Sequence, residues 1–273
     1  MSKLLKSKVF ITGIIKAETG LHIGGSKTSL DIGGVDLNVI KNPHGEPFIP
    51  GSSLKGKLRS MLARTVGSTA VNIRELDKDH AGKPVGKADE HFNYLNQIFG
   101  LSGDDTQSKN RGEITRLIVR DAPLDRAHFD HADQFGDVKS DMDYDYTTVK
   151  WENTIDRRKG TAEHPRQLER VPAGAHFKFE LVYDLYDDGQ NIYESAKSEP
   201  EDKRKIVEKH AWSLLVAMLL LQDDYLGGQG SRGYGKISFQ EVKVAQKNID
   251  AITGKYAVAP EVDAAFHIFS NAF

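Results

Sequence analysis

The chain has 273 residues, and its 37 basic side chains against 39 acidic ones give a formal net charge of −2. This balance gives the chain as a whole no electrostatic preference for nucleic acid, so any basic surface must be local. The sequence contains no cysteine, which excludes disulfides, thiolate metal sites and cysteine nucleophiles.

In the first half of the chain, hydrophobic periodicity predicts two strands, a hairpin and two helices, with polar loops between them. The strands are predicted at 8–18 and 114–122, and the hairpin is predicted at 35–51. The first helix starts at Ser52 or Ser53 and ends at Gly67, and its apolar stripe consists of Leu54, Leu58, Met61 and Leu62. The second helix is short, over 90–100, and residues 68–90 are expected to form a polar loop.

In the second half, a region rich in aspartate precedes a long hairpin. Residues 125–145 hold seven aspartates without periodicity, which predicts a mobile insertion. Residues 147–171 predict a long hairpin with its turn at RRKG. A strand, a helix and a last strand follow at 176–186, about 198–225 and 236–244. Because hairpins stand between strands that are separated by helices, we expect an α+β, ferredoxin-like core and not a doubly wound parallel sheet.

Two features bear on where the protein works. The N-terminal sequence MSKLLKSKVFITG lacks the pattern of a signal peptide, and the most apolar run, at 211–221, is too short to cross a bilayer. We therefore expect a cytoplasmic protein that is not bound to a membrane.

The stretch LGGQGSRGYGKI, at 226–237, matches a phosphate-binding motif. Its G-x-G-x-x-G glycines are Gly228, Gly230 and Gly233. A helix precedes the stretch and a strand follows it, which is the reverse of the order in nucleotide-binding loops. Five glycines remove side chains around Arg232, which can pair with a phosphate, and Tyr234, which can stack on a base. This combination favours contact with an RNA backbone over a flexible connection between helix and strand.

A second candidate phosphate site is the start of the first helix. Ser52 and Ser53 lie where free N–H groups favour an anion, and Lys55 and Arg59 share one helix face. Gly56 costs helix stability, which a closely bound ligand would explain. A solvated basic helix face explains these residues equally well.

Several loop residues can carry chemistry or simply form loops. Asp36 follows a Gly-Gly pair, and a lone loop aspartate usually serves turn formation. His22 is more typical of a hydrogen-bonded loop residue than of a catalyst. A cluster of histidines and aspartates also has metal-ligand chemistry, although a solvated loop is the better interpretation; it consists of His128, Asp130, His131 and Asp133. The densest basic patch lies on the long hairpin and consists of Arg157, Arg158, Lys159, Arg166 and Arg170.

Taken together, these segments resemble the RAMP superfamily of CRISPR proteins, and specifically the backbone subunits of type III-A Csm effector complexes, with a type III-D relative left open. The matching stretches run in order from about 19 to 239. They read TGLHIGGS, IGGVDLNVI, PFIPGSSLKGKLRSMLA, IFG, RDAPL, ENTIDRRKGTAEHPRQLERVPAGAHF and DDYLGGQGSRGYGKISF.

The resemblance implies one RAMP domain over 1–273 with an RRM-like core at 8–67, 90–122 and 172–244. An insertion at about 123–146, a thumb hairpin at about 147–171 and a tail at 245–273 complete this division. Copies of the chain would stack into a filament on CRISPR guide RNA with other type III subunits. Each thumb would interrupt the guide–target duplex, and each copy would cut the single-stranded target RNA at a regular interval.

The resemblance also implies roles for individual residues. Asp36 matches the catalytic aspartate, which would bind a divalent ion, with Mg²⁺ expected, or accept the proton of the attacking 2′-hydroxyl. Guide and target RNA would be bound by His22, Ser52, Ser53, Lys55, Arg59, Arg157, Arg158, Arg166, Arg170, Gly228, Gly230, Arg232, Gly233 and Tyr234. Leu37 and Asn38 depart from the family pattern, which often has proline soon after the aspartate. Two alternatives stay open: an RNA-binding backbone without catalysis, and a guide-processing endonuclease that relies on His22.

Overall fold

The structure is a computed structural model that describes residues 4–25, 35–65, 95, 97–100, 115–131, 145–156, 158–187, 200–250 and 253–273. The strands are β1 Leu4–Ala17, β2 Phe48–Ile49, β3 Leu117–Val119, β4 Ala122–Pro123, β5 Thr148–Asp156, β6 Thr161–Arg170, β7 His176–Asp187, β8 Ile237–Ile249 and β9 Tyr256–Val258. The helices are α1 Gly51–Thr65, α2 Arg126–His131, α3 Pro200–Asp223 and α4 His267–Ala272.

A five-stranded antiparallel sheet forms the centre of the fold, in the order β3-β7-β1-β8-β9. Alternate residues of β1, among them Val9, Ile11 and Ile15, are buried on one face. A bulge in the β1–β8 pairing lies at Gly13, where a Cβ atom would lie 2.8 Å from the carbonyl oxygen of Gln240. Glycine at this position therefore lets the two strands stay paired on both sides of the bulge.

The helices α1, α3 and α4 pack against the buried face of this sheet. The apolar stripe predicted for α1 is buried as expected, and so are Leu214, Met218 and Leu221 of α3. Because these residues recur every three or four positions, one face of each helix is removed from water. No helix in the described parts of the chain is long and apolar enough to cross a membrane.

The predicted long hairpin is confirmed. Strands β5 and β6 pair in an antiparallel two-stranded sheet of their own, and residues 158–160 form the turn. The register shifts once between Glu152 and Thr154, so β6 carries an extra residue there. At its base, the hairpin is joined to loops of the main body, as described below.

The region predicted as a hairpin at 35–51 is different in the structure. Residues 35–41 bridge to β6 and to the segment before them, through Leu37–Leu168 and Gly24–Val39. Strand β2 pairs with β4 instead. Only Lys41 and Pro47 bridge across the expected turn. Backbone groups of 35–41 thus find partners far away in sequence, which local periodicity does not reveal.

One other prediction needs correction, and the tail that the sequence left unassigned has a defined structure. Residues 126–131, in the region expected to be a mobile insertion, form α2, which is anchored by the fully buried ring of Phe129; residues 132–144 lie outside the described part. The tail after 245 is part of the core: β8 continues to Ile249, β9 extends the sheet, and the rings of Phe266 and Phe269 are fully buried. A few apolar side chains in a polar segment suffice to anchor it when they reach an existing core.

The strand predicted at 114–122 is divided into β3 and β4. At the break, the Asp121 carboxylate accepts a hydrogen bond of 2.7 Å from the Gly51 N–H at the start of α1. The observed fold is α+β with an antiparallel main sheet, as predicted from the order of elements.

Candidate functional site

Four segments that are distant in sequence meet at the base of the β5–β6 hairpin. They are residues 20–25, 35–41, 167–171 and 226–235. Leu21 and Val171 exchange two backbone hydrogen bonds, of 2.9 and 2.8 Å. Gly228 N–H donates to the carbonyl oxygen of His22 over 2.8 Å, and Gly235 N–H donates to that of Gly20 over 3.0 Å. The sequence singled out residues in all four segments, and the structure brings these segments together.

The Asp36 carboxylate is exposed, yet it is fixed on β6. Leu37 lies parallel to Leu168, and its N–H and C=O bond to Gln167 and Glu169. The Gln167 N–H, like its C=O, points toward residues 35–41, and it donates to the Asp36 carboxylate over 2.9 Å. An aspartate that would otherwise be mobile is therefore oriented by a backbone group of the hairpin, and the rest of the carboxylate faces solvent.

Glu169 connects these segments, and sequence reasoning missed it. The residue is only 2 % exposed, and its carboxylate accepts hydrogen bonds from Val39 N–H and the Thr147 hydroxyl. The Lys41 ammonium forms an ion pair with it. A buried carboxylate needs such donors to offset the loss of water. A signal was present in the sequence, because Glu169 lies two positions before the apolar Val171 and so faces the same side of the strand.

His22 is buried next to Glu169 and is 7 % exposed. Its Nδ1 atom lies 2.7 Å from the carbonyl oxygen of Glu169, within hydrogen-bond distance. The ring is also close to Gly24 and Gly228, since a Cβ atom at those positions would lie 3.7 and 3.4 Å from it. This environment agrees with the hydrogen-bonded loop histidine that the sequence favoured over a catalyst.

The glycines of 226–237 have contacts within the chain that the sequence argument did not foresee. A Cβ atom at Gly227 would lie 2.2 Å from the His22 carbonyl oxygen, and one at Gly230 would lie 1.9 Å from the Tyr225 ring. Gly233, by contrast, adopts a φ of 85° with open space around it. The count of glycines alone was therefore weak evidence for an RNA backbone, because the fold itself requires several of them.

The base-stacking role predicted for Tyr234 does not fit its surroundings. Tyr234 is 3 % exposed, and its hydroxyl donates to Glu152 over 3.0 Å. The Lys150 ammonium and the Arg170 guanidinium lie 4.9 and 5.6 Å from the ring centroid. A ring that is buried to this degree exposes almost no surface on which a base could stack. Tyr234 instead joins the glycine-rich loop to the hairpin, while Arg232 is exposed and bonds to Gln229.

The basic residues of the hairpin fall into two groups. Arg166 pairs with Glu152 over 3.1 Å, and Arg170 lies beside the Tyr234 ring. Both arginines belong to the base of the hairpin. Arg158 lies exposed in the turn, next to the exposed Lys159. The predicted basic patch is thus divided between the base of the hairpin and its turn. Arg157 lies outside the described residues.

The start of α1 combines half-buried cations with helix N–H groups. Lys55 donates to the Leu117 carbonyl oxygen over 2.9 Å, and Arg59 donates to that of Gly100 over 2.6 Å. Burial lowers the pKa of both groups, and the charge of Arg59 lowers the pKa of Lys55 further. Ser52 is exposed and Ser53 is half-buried at the helix start, and the space above Gly56 is open.

Lys57 links α1 to the glycine-rich loop and was not predicted. Its ammonium lies 3.7 Å from the centroid of the Tyr225 ring and 3.5 Å from the Asp224 carboxylate. Gly230 packs against the same Tyr225 ring. The two predicted phosphate sites, on α1 and in the glycine-rich loop, are therefore neighbours.

The histidine and aspartate cluster is described in part, at His128 and Asp130. The His128 ring stacks on that of His176, with centroids 3.6 Å apart. Burial, with the neighbouring His128, lowers the pKa of His176. Asp133 and the His131 side chain lie outside the described part. Among the residues that the structure describes, no three His, Asp or Glu side chains come together as a metal site.

Comparisons with known proteins agree on one family. The model of the RAMP superfamily matches residues 14–238. The CRISPR system Cms endoribonuclease Csm3 of Methanocaldococcus jannaschii is 41 % identical over 245 residues, which cover 89 % of this chain and 83 % of that protein. Its namesake from Streptococcus thermophilus is 40 % identical over 238 residues, which cover 87 % and 89 %.

A similar solved structure is the crystal structure of a Csm3–Csm4 subcomplex in the type III-A CRISPR-Cas interference complex. The TM-score is 0.50 at 28 % identity, and the match covers 98 % of this chain and 96 % of the other.

Removal of the Glu169 carboxylate is expected to destabilise the fold. Glu169→Ala leaves Val39 N–H, Thr147 and Lys41 without their acceptor, and loss of one partner from a buried pair costs about 3–5 kcal/mol. Urea unfolding of the purified chain measures this loss. Glu208→Ala on the exposed side of α3 is the matched control and should change stability by less than about 0.5 kcal/mol. Equal stability of the two variants would contradict the structural role of Glu169.

Proposed function

Because the chain belongs to the RAMP superfamily, we propose that it is a backbone subunit of a type III-A CRISPR effector complex and an endoribonuclease that cleaves target RNA. Support comes from identity above 30 % to several proteins named endoribonuclease Csm3, over most of both chains. The single observation that carries the catalytic part is the Asp36 carboxylate, which is exposed to solvent and held by the Gln167 N–H.

We further propose that the core is ferredoxin-like and that the whole chain is one RAMP domain with β5–β6 as its thumb. The order β1, α1, β3, β7, α3, β8 gives two successive β-α-β units. The strand order β3-β7-β1-β8, antiparallel throughout, supports their interleaving in one sheet. The tail after 245 extends this core at the edge next to β8.

The chemistry we propose is attack of the target's own 2′-hydroxyl on the adjacent phosphorus. The 2′-oxygen forms a bond to phosphorus, the bond to the 5′-oxygen breaks, and the 5′-oxygen takes up a proton from water. The products carry a 2′,3′-cyclic phosphate and a 5′-hydroxyl. Asp36 accepts the proton of the 2′-hydroxyl, and a positioned base of this kind contributes about 10²–10⁴-fold. The remaining contribution is geometric, since the scissile nucleotide must be turned so that the reacting atoms are in line.

A divalent ion fits this site only in part. Mg²⁺ is commonly bound by one or two carboxylates together with substrate phosphates and water. Asp36 offers one such carboxylate, and the part of the chain that the structure describes has no cluster of three ligands around it. An ion held by Asp36 and the RNA would stabilise negative charge on the phosphate.

Guide RNA is the partner that we assign to the basic face of α1 and to the glycine-rich loop next to it. Lys55 and Arg59 each donate a hydrogen bond to a backbone carbonyl oxygen, and these bonds orient the two cations on the same face of α1. We also propose further copies of the chain in a filament, other type III subunits and target RNA as partners, and the cytoplasm as its location.

A guide-processing endonuclease that depends on His22 is less well supported. The ring is buried, and its Nδ1 atom is within hydrogen-bond distance of a backbone carbonyl oxygen. A general base must reach the proton that it removes.

Replacement of Asp36 is expected to abolish target cleavage without loss of assembly. Asp36→Asn keeps an oxygen that accepts the Gln167 N–H, but it removes the charge that takes the proton. In the complex reconstituted with guide RNA, we expect the single-turnover cleavage rate to fall at least about a hundredfold. Target binding by gel shift should be unchanged.

Two controls accompany this measurement. A deoxyribose at the scissile nucleotide should block cleavage by the wild-type complex to the same degree, and a chelator reports the contribution of a divalent ion. Wild-type cleavage by Asp36→Asn together with an inactive His22→Ala would refute target cleavage by Asp36 and favour guide processing.

Replacement of the α1 cations is expected to lower the salt dependence of guide binding. Each phosphate contact that is lost should reduce the slope of log K against log salt by roughly 0.7 on a single strand. We therefore expect a reduction of about 1.4 for Lys55→Ala combined with Arg59→Ala. Lys243→Ala, an exposed lysine on the opposite face of the sheet, is the control and should leave the slope unchanged. An unchanged slope in the double variant would mean that this helix face is only solvated.

A further inference from the structure

The thumb hairpin carries two large apolar side chains in solvent. Trp151 is 61 % exposed and Ile155 is 64 % exposed. They are four positions apart on β5 and so point to the same face. On the other face, Glu152 pairs with Arg166 and accepts a hydrogen bond from the Tyr234 hydroxyl.

The register places this apolar face beside Asp36. Trp151 is directly opposite Gln167 on β6, and Gln167 is the residue whose N–H binds the Asp36 carboxylate. Because Leu37 is in register with Leu168, Asp36 and Gln167 lie on the same face of the surface that residues 35–41 form with β6 and β5. The side chains of Asp36, Gln167 and Trp151 thus follow one another across one surface. The backbones of Asp36 and Trp151 are two strand spacings apart, about 10 Å.

The chemistry of this surface fits a nucleobase. An indole ring offers a flat apolar face, and stacking on aromatic side chains is how proteins bind single-stranded RNA without regard to sequence. The exposed turn of the same hairpin carries Arg158 and Lys159, which attract a phosphate backbone. An exposed tryptophan that no core contact explains, beside a candidate catalytic carboxylate and on the same hairpin as these cations, therefore has the chemistry to bind RNA.

We propose that Trp151, extended by Ile155, is the platform on which the base of the scissile target nucleotide stacks. Stacking turns this base out of the duplex and holds its ribose beside Asp36, so that the 2′-hydroxyl can be deprotonated there. This role rests on the proposed function, because it requires a target strand that is cut at Asp36. Trp151 acts as a positioning residue and exchanges no proton.

The chain offers a matched control for this role. It has two tryptophans, and the second, Trp212 on α3, is 57 % exposed and lies outside the hairpin. In the guide-loaded complex, Trp151→Ala should lower the single-turnover cleavage rate roughly tenfold, from the loss of one stacked base. Trp151→Phe should restore most of the rate, and Trp212→Ala should cut as the wild type does.

A substrate change separates stacking from a structural effect. A target with an abasic ribonucleotide at the scissile position keeps the 2′-hydroxyl but has no base to stack. We expect the wild-type complex to cut it as slowly as Trp151→Ala cuts the normal target, and Trp151→Ala to show no further loss on it. Equal sensitivity of wild type and Trp151→Ala to the missing base would overturn the platform.

The Asp36→Asn complex distinguishes a failure of the Trp151 platform from a failure of the proposed function. If Asp36→Asn is inactive and Trp151→Ala cuts at the wild-type rate, the platform is wrong and the proposed function stands. If Asp36→Asn cuts at the wild-type rate, the proposed function is wrong, and the platform is wrong with it.

Discussion

The buried carboxylate of Glu169 is the constraint on which the geometry of this site depends. A carboxylate removed from water has to be surrounded by donors, and Val39 N–H, Thr147 and Lys41 supply them. Two of these residues belong to the segment that carries Asp36, and the third precedes the hairpin. The hydrogen bonds that stabilise Glu169 therefore hold the Asp36 segment against the base of the β5–β6 hairpin.

This arrangement divides the hairpin into a fixed base and an exposed arm. The base is held by Glu152, which accepts from Tyr234 and pairs with Arg166, and by the Leu21–Val171 bridge. The arm keeps its cations and apolar side chains in solvent. A chain with a net charge of −2 can bind RNA in this way, because Arg158 and Lys159 are exposed together at the arm and Lys55 and Arg59 share one face of α1.

The elements that the sequence predicted are those whose signal is local. The stripe of α1, the alternation of β7 and the turn of the thumb are written in neighbouring residues, and all three were found. The meeting of residues 35–41 with β6 depends on partners about 130 positions away, as in the bond from Gln167 to Asp36. Periodicity carries no such information, so the segment was taken for half of a hairpin.

What the sequence could not show at the site has a common physical cause. The number of glycines at 226–235 was interpreted as evidence for RNA contact, because the sequence does not show which of the chain's own atoms come close. His22, Tyr225 and Leu226 occupy that space. Glu169 was missed for the converse reason, since a charged residue on a strand is usually exposed and only the fold reveals its three donors. The tail was left unassigned because its few aromatic residues have no period, although they complete the core.

The ends of the RNA products test most directly whether a carboxylate fixed on the thumb base promotes attack by the target's own 2′-hydroxyl. Mass spectrometry of the fragments from the reconstituted complex identifies these ends without assumptions about rate. If the 2′-hydroxyl attacks, we expect a 2′,3′-cyclic phosphate on one fragment and a 5′-hydroxyl on the next at every cut. Fragments with a 5′-phosphate and a 3′-hydroxyl would show that water is the nucleophile and would contradict it.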